Sequence, residues 1–367
     1  MKKLQRIINW YFSGSIVGAR EYLEDYRSAI NVLKETGKVL SEHVGYGCER
    51  SSGVQVNVAL RDNAWVDSAN GLIIHLGDAT TGGGAEAARK IIANGHVLGL
   101  QPKNAKVSTY MTDWVQSKTA PNFSIVVYEN KEQLENIVRE FASKVLQQHP
   151  PLAGAYIVLE GGDGSGKTTQ RWQLIKHLRE QGYDVEEARE PGGTVRAESI
   201  RTILQDTEFE KSDKLDSFSE LFLFEAARSQ LFARKIIPAL ERGAIFASDR
   251  CFWSTIAYQG FGRGMNISTI DVLNNIATKS IKPDYGIIID VPPEVGLAKI
   301  TKVEFGKADR FEQEKIDFHH RVLEGYRFVA AREPNTVLLQ YVDGIENMQA
   351  TIREKVDDFL KENFKEV

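Results

Sequence analysis

The sequence predicts an α/β protein made of two domains, each built on a doubly wound parallel β-sheet. Short apolar, β-branched runs alternate with helix-length segments along both halves of the chain. Pro150 and Pro151 interrupt the chain near its middle, and consecutive prolines cannot continue a helix. Residues 156–170 read YIVLEGGDGSGKTTQ, an apolar run that breaks into a glycine-rich loop. We expect domains over residues 1–149 and 150–367.

The elements of the first domain follow from hydrophobic periodicity and helix-ending residues. The N-terminal segment superficially resembles a signal peptide, but its apolar run is short and is interrupted by Asn9 and Ser13, so a first strand over residues 7–12 is favoured. A helix over residues 19–36 ends at Gly37, the residue type that best tolerates a helix C-terminus. The remaining elements are strands at 38–43, 71–75, 96–100 and from 124 onward, and helices at 54–68, 84–94 and 134–146.

The second domain repeats this alternation, beginning with the strand that precedes the glycine-rich loop. Strands separated by helices imply a parallel sheet covered on both faces, so its strands are expected to be buried. They are predicted at residues 156–160, 184–187, 244–248, 285–290 and 337–341.

Composition narrows the function classes. Of the 367 residues, 26% are charged and 42% hydrophobic, which is ordinary for a globular protein. A formal net charge of −4 argues against a protein built mainly to bind a nucleic-acid backbone, and no apolar run approaches membrane-spanning length. Cys48 and Cys251 lie far apart without metal-ligand spacing, so neither a zinc site nor a disulfide framework is indicated. We expect a cytoplasmic protein without nucleic-acid or membrane partners.

The glycine-rich loop predicts a nucleoside triphosphate site. Glycines allow successive backbone N–H groups to point at phosphate oxygens, and the N-terminus of the following helix adds its dipole. Lys167 is placed to contact the β- and γ-phosphates, and the Thr168 hydroxyl is suited to hold Mg²⁺. ATP with Mg²⁺ is therefore expected at Gly161, Gly162, Asp163, Gly164, Ser165, Gly166, Lys167, Thr168 and Thr169.

Further motifs follow the loop. They read REPGGT from Arg189, FEAAR from Phe224, DR from Asp249, STIAYQG from Ser254 and DRFE from Asp309. In order and spacing, this set is similar to the thymidylate kinase family over residues 153–363. The resemblance implies a P-loop nucleoside-monophosphate kinase domain with a lid, which phosphorylates dTMP to dTDP with ATP.

Asp249 and Arg250 follow a predicted strand, so they are expected at the carboxyl edge of the sheet beside the phosphate loop, where such folds bind ligands. Arg250 is suited to bridge donor and acceptor phosphates, and Asp249 is suited to hold Mg²⁺. The resemblance also implies a pocket that stacks on the thymine ring, crowds the 2′ position and contacts the 3′-hydroxyl. The implied dTMP-binding residues are Asp163, Arg189, Phe224, Arg228, Arg250, Ser254, Thr255, Tyr258 and Gln259.

One position departs from the family pattern. Some thymidylate kinases carry a catalytic arginine inside the loop, where this chain has Gly164. The other family arrangement supplies arginines from the lid, which here offers Lys302 and Lys307, and lysine is a point charge rather than a planar fork. We expect Arg310 to act with Arg250 and Lys167 as catalytic cations.

The motifs of the first domain are shorter. YFSGSIVGARE begins at Tyr11, SEH at Ser41, DNAW at Asp62 and DATTGGGAE at Asp78. Over residues 8–146, this set resembles the 2′-deoxynucleoside 5′-phosphate N-hydrolase family, which is related to nucleoside 2-deoxyribosyltransferases. The resemblance implies a Rossmann-type domain that hydrolyses deoxynucleoside 5′-monophosphates to free base and deoxyribose 5-phosphate.

Cleavage of an N-glycosidic bond needs one carboxylate at the anomeric carbon and another group that assists the departing base. By the resemblance, Glu86 is the nucleophile, Asp62 is the proton donor or orienting group, and Tyr11 orients Glu86. Thr109 matches a hydroxyl residue that reaches the neighbouring subunit's site, which implies a homodimer. Val17 departs from the family, whose loop carries an arginine there. The implied nucleotide-binding residues are Gly14, Ser15, Ile16, Gly18, His43, Thr80 and Thr109.

The sequence therefore predicts a bifunctional enzyme of deoxynucleoside monophosphates. One alternative keeps the kinase and makes the first domain a non-catalytic nucleotide sensor or dimerisation module; Val17 favours it, and the joint presence of Tyr11, Asp62 and Glu86 opposes it. Another makes the phosphate loop part of a regulatory ATPase, and the predicted base pocket weighs against this alternative.

Overall fold

The chain is described by a computed structural model. The described residues are 1–15, 21–46, 62–63, 65–66, 69–77, 81–92, 95–105, 113, 120–148, 152–208, 212–303, 310–333, 335–342 and 344–367. Contacts divide the chain into two compact units. The P-loop unit comprises Met1–Arg6 and Leu152–Val367, and the inserted unit comprises Ile7–Pro151.

The strands, in chain order, are β1 (Leu4–Arg6), β2 (Ile8–Ser13), β3 (Gly37–Val39), β4 (Gly71–His75), β5 (His96–Pro102), β6 (Phe123–Tyr128), β7 (Ala155–Gly161), β8 (Val185–Arg189), β9 (Ile245–Asp249), β10 (Tyr285–Asp290), β11 (Thr336–Gln340) and β12 (Phe364–Glu366).

The helices are α1 (Leu23–Lys34), α2 (His43–Tyr46), α3 (Thr81–Ile92), α4 (Lys131–Gln148), α5 (Lys167–Glu180), α6 (Val195–Gln205), α7 (Ser217–Leu231), α8 (Ile237–Glu241), α9 (Phe252–Thr255), α10 (Ile267–Thr278), α11 (Pro293–Val303), α12 (Ile316–Arg332) and α13 (Ile345–Asn363). Two π-helical segments, Phe232–Ile236 and Ile256–Gly262, continue α7 and α9. Among the described helices, none is long and apolar enough to cross a membrane.

The P-loop unit is built on a five-stranded sheet in the order β11-β10-β7-β9-β8, with every neighbouring pair parallel. Successive side chains of a strand point to opposite faces, and the central strand β7 shows this clearly. Tyr156 and Val158 join an apolar cluster with residues of α7 and α12, while Ile157 and Leu159 join another with residues of α5 and α13. The sheet is therefore covered on both faces, and its carboxyl edge leads into the loops described below.

The inserted unit has its own five-stranded sheet, in the order β3-β2-β4-β5-β6, again parallel throughout. Alternate residues of β2 divide between two apolar clusters: Trp10 and Phe12 pack with α1 and α4, whereas Tyr11 packs on the face that includes Ala87 of α3. This alternation orients Tyr11 and α3 toward the same side of the sheet.

The predicted fold class, α/β with parallel sheets, is confirmed, and the strands at 71–75 and 285–290 have the predicted bounds. The strand predicted at 38–43 is shorter than expected: β3 ends at Val39, and the chain enters α2 at His43. Most of the helix predicted at 54–68 lies outside the described residues.

The sequence predicted that residues 1–149 form one domain, but Met1–Arg6 belong to the P-loop unit. β1 pairs antiparallel with β12, which is the last strand of the P-loop unit. Leu4 is buried in the apolar cluster of β7 and α13, and its backbone N–H donates to the carbonyl of Gly243. The P-loop unit therefore includes both ends of the described chain, and the inserted unit lies between them in sequence.

Arg6, the last residue before the inserted unit, contacts the segment at which the chain re-enters the P-loop unit. Its guanidinium forms an ion pair with Asp284 and donates to the carbonyls of Leu152 and Gly154, each at 2.8 Å, just where the chain returns. The Asp284 carboxylate also accepts the Tyr156 backbone N–H at 2.8 Å, so it anchors the start of β7. No motif or periodicity in the sequence predicts these contacts.

We expect Arg6→Ala to destabilise the P-loop unit by about 3 kcal/mol, because it leaves a largely buried carboxylate without its ion pair and two carbonyls without their side-chain donor. The melting temperature of this unit should fall by roughly 5–10 °C in scanning calorimetry. Lys3→Ala is the matched control, since the Lys3 side chain is exposed and its backbone makes the strand contacts. Equal melting temperatures of the two variants would contradict the assignment.

Candidate active site

The phosphate loop runs from the last residue of β7 to the first turn of α5. Gly161, Gly164 and Gly166 have φ angles of 145°, 70° and 86°, conformations that L side chains rarely adopt. The Lys167 ammonium donates to the carbonyl of Gly162 at 3.2 Å within the loop. Burial, and then the nearby Arg250 guanidinium, lower the pKa of Lys167. The loop thus holds a buried cation at the N-terminus of a helix, the arrangement that binds phosphate.

The packing of α11 explains why the loop carries Gly164 rather than an arginine. A Cβ atom at Gly164 would lie 2.0 Å from the carbonyl oxygen of Gly296 in α11. The positive φ angle of Gly164 disfavours a side chain independently. The backbone of this loop therefore admits no arginine at this position, and other residues must supply the cations of the site.

Arg250 lies at the carboxyl end of β9 and has a φ of 73°, a left-handed conformation in a residue other than glycine. Its guanidinium donates to Asp163 at 2.5 Å, to the Tyr326 hydroxyl at 2.6 Å and to the Ser254 hydroxyl at 3.1 Å. Burial opposes ionisation of Asp163, but Arg250 and Lys167 outweigh it and lower the pKa of that carboxyl. These contacts fix the cation next to the phosphate loop.

Asp249 and Thr168 meet beside Lys167. The Thr168 hydroxyl donates to the Asp249 carboxylate at 2.5 Å. A hydroxyl and a carboxylate are oxygen donors of the kind that Mg²⁺ prefers, and Mg²⁺ in phosphoryl-transfer sites takes its remaining ligands from phosphates and water. Within the described residues, no cluster of three or more His, Cys, Asp or Glu side chains forms an all-protein metal site. The two residues fit a magnesium ion that is shared with a bound nucleotide.

A cavity of about 560 Å³ extends from this loop toward α7 and α9. Arg250 contacts residues of both ends, Asp163 at 2.5 Å and the Tyr258 hydroxyl at 3.1 Å. The phosphate-loop end includes Asp163, Gly164, Gly166, Lys167, Thr168 and Asp249, and the far end includes Phe224, Arg228, Thr255, Tyr258, Gln259 and Phe311. Among the predicted dTMP residues, Arg189 and Ser254 also line this cavity, so the structure brings that whole set to one space.

The far end combines an aromatic wall with buried polar groups. Phe224 and Phe311 have ring centroids 5.9 Å apart, and Tyr258 packs edge-on against Phe311. The Tyr258 hydroxyl donates to Asp163 at 2.7 Å, which links this end to the phosphate loop. Gln259 is buried and donates through its amide to Glu220 at 2.7 Å.

Arg228 is almost completely buried and is held on several sides. It donates to Glu190 at 2.7 Å, to Glu225 at 2.5 Å, to the Asn274 side-chain oxygen at 3.1 Å and to the Thr255 hydroxyl at 2.9 Å. A guanidinium has five N–H groups, and these contacts use four of them. One Nη2–H of Arg228 is therefore not used by these contacts, and Arg228 is one of the residues that line the cavity.

Two carboxylates, Glu190 and Glu225, face the single guanidinium of Arg228 in this buried region. Burial raises the pKa of Glu190 to about 7, although Arg228 opposes the shift, and Glu225 adds to it. Glu160 also raises it from β7. Because Glu190 binds its proton more tightly in the folded protein, its contribution to stability is present at acidic pH and is lost as the pH rises through about 7.

We therefore expect Glu190→Gln to flatten the pH dependence of stability. The wild-type melting temperature should fall between pH 5.5 and pH 8 by roughly 3 °C more than that of the variant, whose amide does not titrate. Calorimetry at both pH values measures the difference. Glu180→Gln, at an exposed position of α5, is the control and should keep the wild-type pH dependence. An unchanged dependence in Glu190→Gln would contradict the shifted pKa.

Arg310 does not take the position expected from the sequence. It is buried, donates to the carbonyl of Leu204 at 3.1 Å and lies 2.6 Å from a Glu220 carboxylate oxygen. The reason is electrostatic: Glu220 is a buried carboxylate that draws the guanidinium away from the phosphate loop. Arg310 is not among the residues that line the cavity. Of the predicted lid lysines, Lys307 lies outside the described residues and only the backbone of Lys302 is described.

Three basic residues that sequence reasoning missed line the same cavity: Arg171, Arg201 and Lys299. Arg171 lies one helical turn after Lys167 and thus on the same face of α5, a spacing that could have indicated it. Arg201 of α6 and Lys299 of α11 reach the cavity only through tertiary packing, and no motif marks them.

In the inserted unit, the predicted nucleophile is held by hydroxyl groups. Glu86, in α3, accepts hydrogen bonds from Tyr11 at 2.9 Å and from Ser13 at 2.6 Å, both in β2. Burial raises the pKa of Glu86; the two hydroxyls oppose the shift and the negative charge of Asp62 adds to it. Three of the predicted residues, Tyr11, Asp62 and Glu86, are thus close enough to interact, and Ser13 is an additional residue that the sequence did not indicate.

The other residues predicted for this unit are only partly described. Gly14 and Ser15 follow β2, and the backbone N–H of Ser15 donates to the Tyr26 hydroxyl at 3.2 Å. His43 begins α2, and its side chain is not described. Outside the described residues lie Ile16, Val17, Gly18, Thr80 and Thr109.

Comparison with known proteins identifies a family for the second half of the chain. The sequence model of thymidylate kinase matches residues 159–352. The thymidylate kinase of Synechococcus sp. (strain JA-2-3B'a(2-13)) is 41% identical over 183 residues, which is 50% of this chain and 84% of that protein. That of Caldicellulosiruptor saccharolyticus is 38% identical over 210 residues, 57% of this chain and 99% of that protein.

Among solved structures, the thymidylate kinase of Ehrlichia chaffeensis is 34% identical and covers 56% of this chain and 98% of its own, with a TM-score of 0.45. The matched family region spans more than half of the chain and contains the phosphate loop, Arg250 and the residues at the far end of the cavity. The chain therefore belongs to the thymidylate kinase family.

Proposed function

We propose that the P-loop unit transfers the γ-phosphoryl group of ATP to dTMP and so forms dTDP. The observation that carries this proposal is the single cavity that joins the phosphate loop to an aromatic, polar pocket, with Arg250 between them. Phosphoryl transfer depends on positioning and charge neutralisation rather than on covalent help from the protein. Lys167 and Arg250 supply fixed positive charge where the two phosphates would meet. Mg²⁺, held by Thr168 and Asp249, would neutralise charge on the donor phosphates.

The far end of the cavity suits a thymine base. Phe224 offers a flat apolar surface on which a base can stack. Arg228 presents its remaining N–H as a donor, and the O4 atom of thymine is an acceptor. Arg189, which is exposed at the mouth of the cavity, is suited to grip the acceptor phosphate.

The bond between Tyr258 and Asp163 supports a preference for deoxyribose. Tyr258 is buried among aromatic rings, so its hydroxyl is held in one place. We propose that this side chain fills the space that a 2′-hydroxyl would need, while Asp163 accepts a hydrogen bond from the 3′-hydroxyl. A regulatory ATPase would need none of these groups, and ADP formation that does not depend on dTMP would favour it.

For the inserted unit, we propose hydrolysis of the N-glycosidic bond of deoxynucleoside 5′-monophosphates. The support is the carboxylate pair of Glu86 and Asp62, with Tyr11 and Ser13 orienting the first. An ionised Glu86 would attack the anomeric carbon, and Asp62 would protonate or orient the leaving base. Both units would then act on deoxynucleoside monophosphates, and hydrolysis of aberrant ones before phosphorylation would explain their fusion.

A non-catalytic inserted unit, which senses nucleotides or mediates dimerisation, is the second candidate. Val17 favours it, since the N-hydrolase resemblance places a phosphate-binding arginine there. The family match at 159–352 lies within the P-loop unit, so the chemistry of the inserted unit rests on its own side chains.

We also propose that the chain forms a homodimer. Besides the resemblance at Thr109, apolar side chains of the P-loop unit support association: Phe218 and Phe222 on α7, and Val272 and Ile276 on α10, are each more than half exposed. Each pair is spaced four residues apart and so lies on one helix face. The mass in solution, measured by light scattering, tests this proposal.

One experiment tests both activities. The whole protein is incubated with a panel of deoxynucleoside monophosphates, with and without Mg-ATP, while free base and diphosphate are both measured. We expect dTDP only with dTMP and Mg-ATP, and free base without ATP from at least one member of the panel. Absence of dTDP would reject the kinase proposal, and absence of free base from every natural or modified substrate would favour the non-catalytic inserted unit.

A further inference from the structure

Glu220 of α7 is a buried carboxylate that does not line the cavity. It contacts three other side chains. It accepts a hydrogen bond from the Gln259 amide at 2.7 Å. Arg310 forms an ion pair with it at 2.6 Å, and Arg263 a longer one at 3.4 Å. Only 1% of the Glu220 residue surface is exposed, so these partners replace the water that a carboxylate otherwise requires.

This contact fixes which way the Gln259 amide points. A carboxylate only accepts hydrogen bonds, so Gln259 must turn its NH₂ group toward Glu220. The amide oxygen then points elsewhere, and no described residue donates to it. Gln259 lines the far end of the cavity, where this oxygen is available as an acceptor.

The position of one hydrogen-bond donor and one acceptor at the far end of the cavity distinguishes one base from another. The Arg228 N–H is a donor and the Gln259 oxygen an acceptor, which complements the O4 acceptor and N3–H donor shared by thymine and uracil. Cytosine carries an amino donor and an N3 acceptor at the same positions, so both contacts would be mismatched. A site whose buried polar groups are left unpaired rejects the wrong ligand strongly.

We propose that Glu220 is a positioning residue that selects the base: by holding the NH₂ group of Gln259, it presents the amide oxygen to N3–H and excludes cytosine nucleotides. The inference rests on the proposed function, because it assumes that the far end of the cavity binds the base. Arg310 holds the Glu220 carboxylate in place at 2.6 Å, whereas Arg263 lies farther away at 3.4 Å, so Arg310 has a supporting role rather than a catalytic one.

The Glu220→Gln variant should reverse the orientation of the Gln259 amide. The oxygen of the new amide would turn to Arg310 and Arg263, which can only donate, and its NH₂ group would face Gln259. Gln259 would then direct its own oxygen to residue 220 and its NH₂ group to the cavity, where it fits the N3 acceptor of cytosine.

The test measures kcat/KM of the whole protein for dTMP, dUMP and dCMP. For Glu220→Gln we expect the dCMP/dTMP ratio to rise by about 10-fold or more, while the dUMP/dTMP ratio stays within about twofold, since uracil and thymine share the same edge. A ratio does not depend on the folded fraction, so partial loss of active protein leaves the readout intact. Arg263→Gln is the matched control: it removes the long contacts of Arg263 with Glu220, each at 3.4 Å, and keeps both partners of the 2.7 Å Gln259–Glu220 bond, so both ratios should stay as in the wild type.

An unchanged dCMP/dTMP ratio in Glu220→Gln, or an equal rise in Arg263→Gln, would overturn the proposal. If Glu220→Gln yields no measurable activity, Glu220→Asp is tested in the same way, because it keeps the charge for both arginines and withdraws the carboxylate from Gln259 by one methylene. An unchanged ratio there would also overturn it. Failure of the wild type to phosphorylate dTMP would instead reject the proposed function, so the two failures are distinguishable.

Discussion

Replacement of Lys167 by alanine should lower the rate of dTDP formation by about 10²–10³-fold. The Lys167 ammonium is buried at the start of α5 and donates to the Gly162 carbonyl of the phosphate loop. No other lysine of α5 is in this position, and water cannot replace a fixed charge that acts on developing phosphate charge. A coupled assay for ADP that requires dTMP measures the loss.

Lys176→Ala is the matched control for this prediction. Lys176 lies on the same helix, with an exposed side chain that is 3.9 Å from Glu180 in an i,i+4 pair. Surface pairs of this kind contribute little, so this variant should keep wild-type activity. Persistence of dTDP formation in Lys167→Ala, with Lys176→Ala as the reference, would reject the phosphate loop as the donor site.

Replacement of Glu86 by glutamine should reduce release of free base by at least about 10³-fold, because an amide cannot act as the nucleophile. Glutamine preserves the shape of the side chain, and its oxygen still accepts a hydrogen bond from Tyr11 or Ser13. Phosphorylation of dTMP by the P-loop unit should persist. Chromatographic measurement of free base and of dTDP in the same reaction distinguishes the two effects.

The pH dependence of base release gives a second readout for Glu86. Burial raises the pKa of this carboxyl, and the nucleophile must be ionised, so activity should decline toward acid below a pH that is higher than the usual glutamate value of about 4.3. Glu132→Gln, at an exposed position of α4, is the control and should leave the profile unchanged. Base release that survives Glu86→Gln would mean that another group carries the reaction, or that the inserted unit has no such activity.

The sequence alone predicted the order of strands and helices in both halves, because apolar periodicity and turn residues are local properties. It also predicted the phosphate loop and the residues that surround it. Gly161 to Thr168 form one contiguous motif, and Asp249-Arg250 follows a strand, so the shared carboxyl edge of a parallel sheet brings them together. In the inserted unit, the resemblance to the N-hydrolase family indicated Tyr11 and Glu86, which the structure joins by a hydrogen bond.

Only the tertiary structure decided which buried charges pair with one another. Arg310 was expected at the phosphates on the basis of its motif, yet it lies against Glu220, a residue of α7 that no motif marks. Residues 1–6 were assigned to the first domain by their position in the chain, but Arg6 and Leu4 find their partners more than 100 residues away. The physical reason is the same in both cases: a buried charge or an unpaired strand takes the partner that packing brings near, whatever their separation in sequence.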